Sequence, residues 1–176
     1  MKSRFCKLTN VVILSFLGFT ACAVTKMDDD AALTDELNYL RIEAMNTYSK
    51  ACDANEAKSC SVIGSMYFKG DGVKQDFAKA AKPLEKACHQ GEIRSCTLLG
   101  LLYERGDGLP QNISLAITTY QKACYSGDPL GCSSLAKLYE KGLNGLKAVN
   151  FYQKACEDGD NSACDALIRN YRFTDN

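Results

Sequence analysis

The residues best equipped for chemistry in this chain are its cysteines. Ten occur in 176 residues, beside a single histidine and no tryptophan. Eight fall in four pairs: Cys52 and Cys60, Cys88 and Cys96, Cys124 and Cys132, Cys156 and Cys164. Seven residues separate the members of each pair. A redox centre wants two cysteines two residues apart, a spacing that is absent. Zinc is the second use; the spacing is wrong for it, and only His89 could add a nitrogen ligand. Structural disulfides are the expected use, and so many of them imply an oxidising compartment. No metal and no cofactor is expected.

Eight cysteines allow on the order of a hundred connectivities. Recurrence of one local spacing favours 52–60, 88–96, 124–132 and 156–164. Two residues eight apart on a straight helix stand ~12 Å apart, whereas a disulfide needs its Cα atoms within about 7 Å. The chain must therefore reverse inside each pair. The intervening stretches are DANEAKS, HQGEIRS, YSGDPLG and EDGDNSA. Asn55, Gly91, Gly127 and Gly159 share one slot in them, a residue type that ends helices in the left-handed conformation. Each bridge would staple the end of one helical unit to the start of the next, contributing about 2–3 kcal/mol.

The elements that must position these sulfurs are read from an internal repeat. The first cysteines of the pairs stand 36, 36 and 32 residues apart, in the contexts SKAC, EKAC, QKAC and QKAC. After the second cysteines come SVIGSMY, TLLGLLY, SSLAKLY and DALIRNY. Each unit reads as helix, loop, helix. Ile63, Gly64 and Tyr67 share one face of a first helix, matched by Leu99, Gly100 and Tyr103, then Leu135, Ala136 and Tyr139. The small central residue lets a neighbouring helix approach. Ala80, Ala81, Leu84 and Ala87 stripe the second helix, with equivalents through Tyr120 and Tyr152. Asp76 and Asn112 are expected N-caps. The third unit lacks four loop residues and needs a tighter turn. Pro83 lies inside a second helix and is expected to kink it. Ile168 replaces the small residue in the fourth unit, as expected where no further helix packs.

Lys plus Arg equals Asp plus Glu, at 21 each. No basic surface is implied, and nucleic acid is excluded as an expected partner. The N-terminus carries Lys2, Arg4 and Lys7, then an apolar run from Val11 to Phe19. A charged start, a short apolar middle and a small-residue end describe an export signal. The run is too short for a spanning helix. Phe19-Thr20-Ala21-Cys22 resembles a bacterial lipobox, which implies a lipid on Cys22 and, with Ala23 next, an outer-membrane address. Leu is usual where Phe19 stands. The expected layout is a signal over 1–21, a tether over 22–33 with a helix start at its end, and a repeat domain over 34–176. That domain holds three full hairpins and a half at each end. The protein is expected in the periplasm or on the cell surface, with a soluble secreted form as the alternative.

The repeated A-x-x-L-G-x-x-Y-x-x-G-x-G-V and K-A-C pattern resembles the Sel1-like repeat, a relative of the tetratricopeptide repeat. The spaced cysteine pair is similar to the Helicobacter cysteine-rich protein subgroup. The resemblance covers roughly residues 34–173 and implies an all-α, right-handed α-solenoid of antiparallel hairpins with a groove. By the tetratricopeptide layout, the groove would be lined by Lys58, Ser61, Arg94, Thr97, Ser133, Lys137 and Arg169, among others. Such a surface suits a protein or peptide ligand, or a peptidoglycan fragment. The subgroup is described as binding penicillin, with weak β-lactamase activity in some members, so a β-lactam is the alternative ligand. Ser134 and Lys137 form one Ser-x-x-Lys match, the nucleophile and base of serine β-lactamases. The companion Ser-Asp-Asn and Lys-Thr-Gly motifs are absent, and one such match arises by chance in a chain of this length. A binding role is the leading expectation and hydrolysis the alternative.

Overall fold

The computed structural model describes residues 28–171, and every regular element among them is helical. Helix α1 (Asp28–Asp53) is followed by three hairpins. These are α2 (Ala57–Lys69) with α3 (Phe77–His89), α4 (Ile93–Arg105) with α5 (Ile113–Tyr125), and α6 (Pro129–Leu138) with α7 (Gly145–Glu157). Helix α8 (Asn161–Tyr171) packs on the last hairpin. The array is a right-handed α-solenoid with half-units at both ends of the described chain. Helix α1 begins at Asp28, inside the stretch read from sequence as a tether. Residues 1–21, read from sequence as an export signal, and Cys22 lie outside the described residues. No described helix is long and apolar enough to cross a membrane.

Local chemistry sets the helix ends. Asp76, Asn112 and Asn144 each accept a hydrogen bond from the amide three residues on, at 3.0, 3.0 and 3.1 Å. These side chains satisfy donors that the first helical turn leaves open. Between hairpins, Asn55, Gly91, Gly127 and Gly159 all take positive φ, from 69° to 102°. The chain reverses there, and all four local disulfides form, with Cα separations of 4.5, 4.7, 4.4 and 4.9 Å.

Packing follows the small-residue pattern. A Cβ on Gly100 would stand 2.6 Å from the Tyr120 ring, and one on Gly64 2.8 Å from Leu84. Glycine thus lets α2 and α4 lie directly on their partners. Leu84, Tyr120 and Tyr152 fill the interiors of successive hairpins and are almost wholly buried. Each such side chain contributes about 1.5–3 kcal/mol through burial. The sulfurs of the first three pairs are buried in these cores, and Cys156 packs partly buried against the last of them.

Pro83 does not interrupt its helix: α3 spans 13 residues, as α5 and α7 do. The proline has no amide hydrogen to offer the Lys79 carbonyl one turn back, so one helical hydrogen bond is missing. The shortened third unit turns through a π-helical loop, Tyr139–Leu143, in which Gly142 adopts φ 134°. Ile168 is 48 % exposed, and no described helix follows α8.

Candidate functional site: a channel along the first helices

Helix α4 packs against both α2 and α6, so the three first helices lie side by side. The second helices make no comparable mutual contact. Close spacing on one side and wide spacing on the other curve the array, with the first helices on the inside. Two depressions follow this inner face. One, of about 170 Å³, is lined by Ser61, Ser65, Lys69, Arg94, Thr97, Leu98, Asp128 and Leu130. The other, of about 650 Å³, is lined by Leu101, Glu104, Arg105, Ser134, Lys137, Glu140 and Lys141.

Among the expected groove residues, Ser61, Arg94 and Thr97 meet in the first depression and Lys137 lines the second. Lys58 on α2 and Arg169 on α8 are exposed but line neither depression. Ser133 is a correction. It is 2 % exposed, because the turn leading into α8 covers it. Its hydroxyl donates to the Leu130 carbonyl at 3.3 Å, and the Asp160 carboxylate lies within its reach. Asp160 Oδ2 has no other partner, so a rotation of that hydroxyl would satisfy it. Thr97, the equivalent residue one unit earlier, makes that bond outright, donating to Asp128 at 2.5 Å.

The carboxylates of the channel are held by the protein's own hydroxyls. Tyr120 donates to Glu104 at 2.9 Å, and Lys141 approaches the other oxygen of Glu104 at 3.0 Å. Tyr152 donates to Glu140 at 2.6 Å. Asp128, 8 % exposed, is held by Thr97 and by the Leu130 amide at 3.3 Å. Burial first, and then the Glu104 charge, push the Tyr120 phenol well above its ordinary value. Arg94 and Lys137 are exposed and have no carboxylate within 4.0 Å among the described residues.

The Ser-x-x-Lys pair lies in the larger depression. The Ser134 hydroxyl is within hydrogen-bonding reach of the Tyr120 phenol. No hydrogen bond joins Ser134 to Lys137 among the described contacts. His89 is exposed in the last turn of α3.

Two interactions escaped sequence reading. Lys86 and Lys122, the lysines of K-A-C, donate to the carbonyls of Cys52 and Cys88, each at 2.7 Å. Each lysine thus reaches the last turn of the second helix one unit earlier, where a cation is favoured. Its recurrence before every Ala-Cys was the available signal. The Tyr–Glu pairs were legible only as covariation between units: Leu84 accompanies Phe68 in the first, while Tyr120 and Tyr152 accompany Glu104 and Glu140.

The model of the Sel1 repeat matches residues 57–92, 93–128 and 129–160. No curated protein matches the chain. Solved structures do. The chain is 25 % identical to c5321, a protective antigen of uropathogenic Escherichia coli displaying an SLR fold, with a TM-score of 0.66 over 75 % of this chain and 31 % of that one. It is 27 % identical to a Sel1 repeat protein from Oxalobacter formigenes, with a TM-score of 0.66 over 82 % of this chain and 66 % of that one. It is 29 % identical to Helicobacter pylori cysteine rich protein B, with a TM-score of 0.58 over 74 % of this chain and 96 % of that one. The chain thus spans less than two thirds of the first two structures it resembles.

Proposed function

The chain belongs to the Sel1 repeat family, and from that premise we propose that it is an envelope protein which binds a segment of another protein, or a peptide, along its inner channel. Four disulfides point to an oxidising, extracytoplasmic compartment. Repeat scaffolds of this kind present extended concave surfaces to their partners. One observation carries the reading: a row of exposed, unpaired polar side chains, Arg94 and Lys137 among them, is fixed on a covalently stapled scaffold. A rigid surface loses little entropy on binding. In this reading the ligand is held without turnover.

The channel is tested by photo-crosslinking. Benzoylphenylalanine placed at Arg94 or Lys137 is expected to capture partner protein from an envelope extract. The same group at Thr118, exposed on the outer helix α5, is expected to capture none. Equal capture from both faces would overturn the channel reading. Purified oxidised protein is expected to leave nitrocefin intact; turnover abolished by Ser134→Ala would restore hydrolysis as the function. A lipid on Cys22 completes the proposal as the anchor, placing the repeat domain against the outer membrane. Intact mass of the native protein would carry the diacylglyceryl increment, and a mass without it would remove the anchor.

A further inference from the structure

We propose that the last disulfide, Cys156–Cys164, is a site of thiol–disulfide exchange, at which a small dithiol opens the bridge and releases α8 while the other three bridges stay closed. The exchange does not depend on what the channel holds. Six of the eight bridged cysteines are buried: Cys52 is 5 % exposed, and Cys60, Cys88, Cys96, Cys124 and Cys132 are at most 1 % exposed. Cys156 and Cys164 are both partly exposed. The four bridges thus share one sequence spacing but not one environment.

What guards the inner bridges is missing at the last. Each inner bridge is followed by a complete hairpin: α2 with α3, α4 with α5, and α6 with α7. Cys156 is followed by α8 alone among the described helices, and α8 packs on α7. The core also recedes. Cys52, Cys60, Cys88, Cys96, Cys124 and Cys132 belong to buried clusters, whereas Cys156 rests against the edge of the last cluster. The first two bridges gain a further brace from the second helix that follows them. Lys86 and Lys122 hold the carbonyls of Cys52 and Cys88, each at 2.7 Å. No second helix follows α8 among the described residues to hold Cys156 in the same way.

In the exchange, one thiolate of the dithiol attacks a sulfur of the bridge. The Cys156–Cys164 bond breaks, a mixed disulfide forms, and the other cysteine leaves as a thiolate that takes up a proton. The second thiolate of the dithiol then attacks the reagent's own sulfur in the mixed disulfide, and the remaining cysteine is freed. Two electrons pass to the cysteine pair, and the dithiol becomes a cyclic disulfide. Helix α8 thereby loses the covalent tie at its first turn. Elements with few packed neighbours open before the rest of a fold. Departure of α8 would withdraw Ala163 and Ala166 from the last core and lift the turn that covers Ser133. The inner face would then end at α6.

Peptide mapping after timed labelling tests this. The native oxidised protein is held at neutral pH in dilute dithiothreitol, and free thiols are trapped with iodoacetamide. The protein is then unfolded and fully reduced, and the remaining cysteines are capped with N-ethylmaleimide. Cys156 and Cys164 are expected to take iodoacetamide about tenfold sooner than the other six bridged cysteines. At the time when that pair alone is labelled, hydrogen exchange is expected to be faster in α8 and unchanged from α2 to α5. Opening of all four bridges at one rate, or of an inner bridge first, overturns the proposal. An opened last bridge with α8 as protected as before overturns it as well.

Discussion

Tyr120 and Tyr152 are the largest wholly buried side chains among the described residues, and both turn their hydroxyls to glutamates of the channel. Tyr120→Phe keeps the ring in place and removes one hydrogen bond to a charged acceptor. It should cost about 1–2 kcal/mol, read from urea denaturation. Glu104 keeps its contact with Lys141, which limits the loss. The same phenol gives the protein an alkaline weakness. Burial, and then the Glu104 charge, raise its pKa above the ordinary 10.0. Its contribution is therefore complete below pH 10 and is lost as pH rises and the unfolded chain ionises first. Wild-type stability should fall above that point, and Tyr120→Phe should flatten the fall. Asp160 acts at the other end of the scale. Burial alone would raise its pKa, but the Ser162 hydroxyl and the Ser162 and Ala163 amides bond it, the Ser133 hydroxyl lies within reach, and together they hold it below 3.8. The stability it supplies is present at neutral pH and disappears in acid, as pH drops through that lowered value. Asp160→Asn should remove this part of the acid transition in a denaturation series. The sequence showed which residues face inward but not these partners. Helical period assigns a side chain to a face, whereas Tyr120 and Glu104 belong to different helices and meet only through the glycine contact at Gly100.

At the scale of the helix, much was legible because the units repeat. Hairpin boundaries, N-caps and left-handed reversals each occur several times, and one copy corroborates another. The seats of Asp76, Asn112 and Gly127 follow from backbone chemistry that needs only nearby residues. The missing four residues of the third unit revealed that its turn is short, but not that the chain would absorb the loss in a π turn through Gly142. Pro83 leaves α3 continuous over its 13 residues. Nor did the pattern disclose how second helices communicate across units. Lys122, reaching the Cys88 carbonyl at 2.7 Å, supplies that link. Lys122→Met preserves the aliphatic stem and removes the charge, and should cost about 0.5–1 kcal/mol in a partly solvated setting. A lowered thermal midpoint with unchanged helicity would be the sign; an unchanged midpoint would show that solvent substitutes fully for the contact.

Across the whole molecule, each unit touches only its neighbours, so damage should stay local. Replacing Cys88 and Cys96 together by Ala should cost about 2–3 kcal/mol. Hydrogen exchange should then accelerate around the end of α3 and the start of α4 before it changes in α8. Uniform acceleration would mean that the solenoid opens as one body. The position of the sulfur links has a separate consequence. They span the turns between hairpins, never the loops within them. A peptide bond cut by a protease near Gly91 leaves both fragments attached to one another. A cut near Asp71 or Asp107 leaves nothing covalent to hold them. On a gel run without reductant, nicks at the first kind of site should be invisible, and nicks at the second should release pieces. The indivisible block is thus the pair α3 and α4, half a period out of phase with the hairpin written in the sequence.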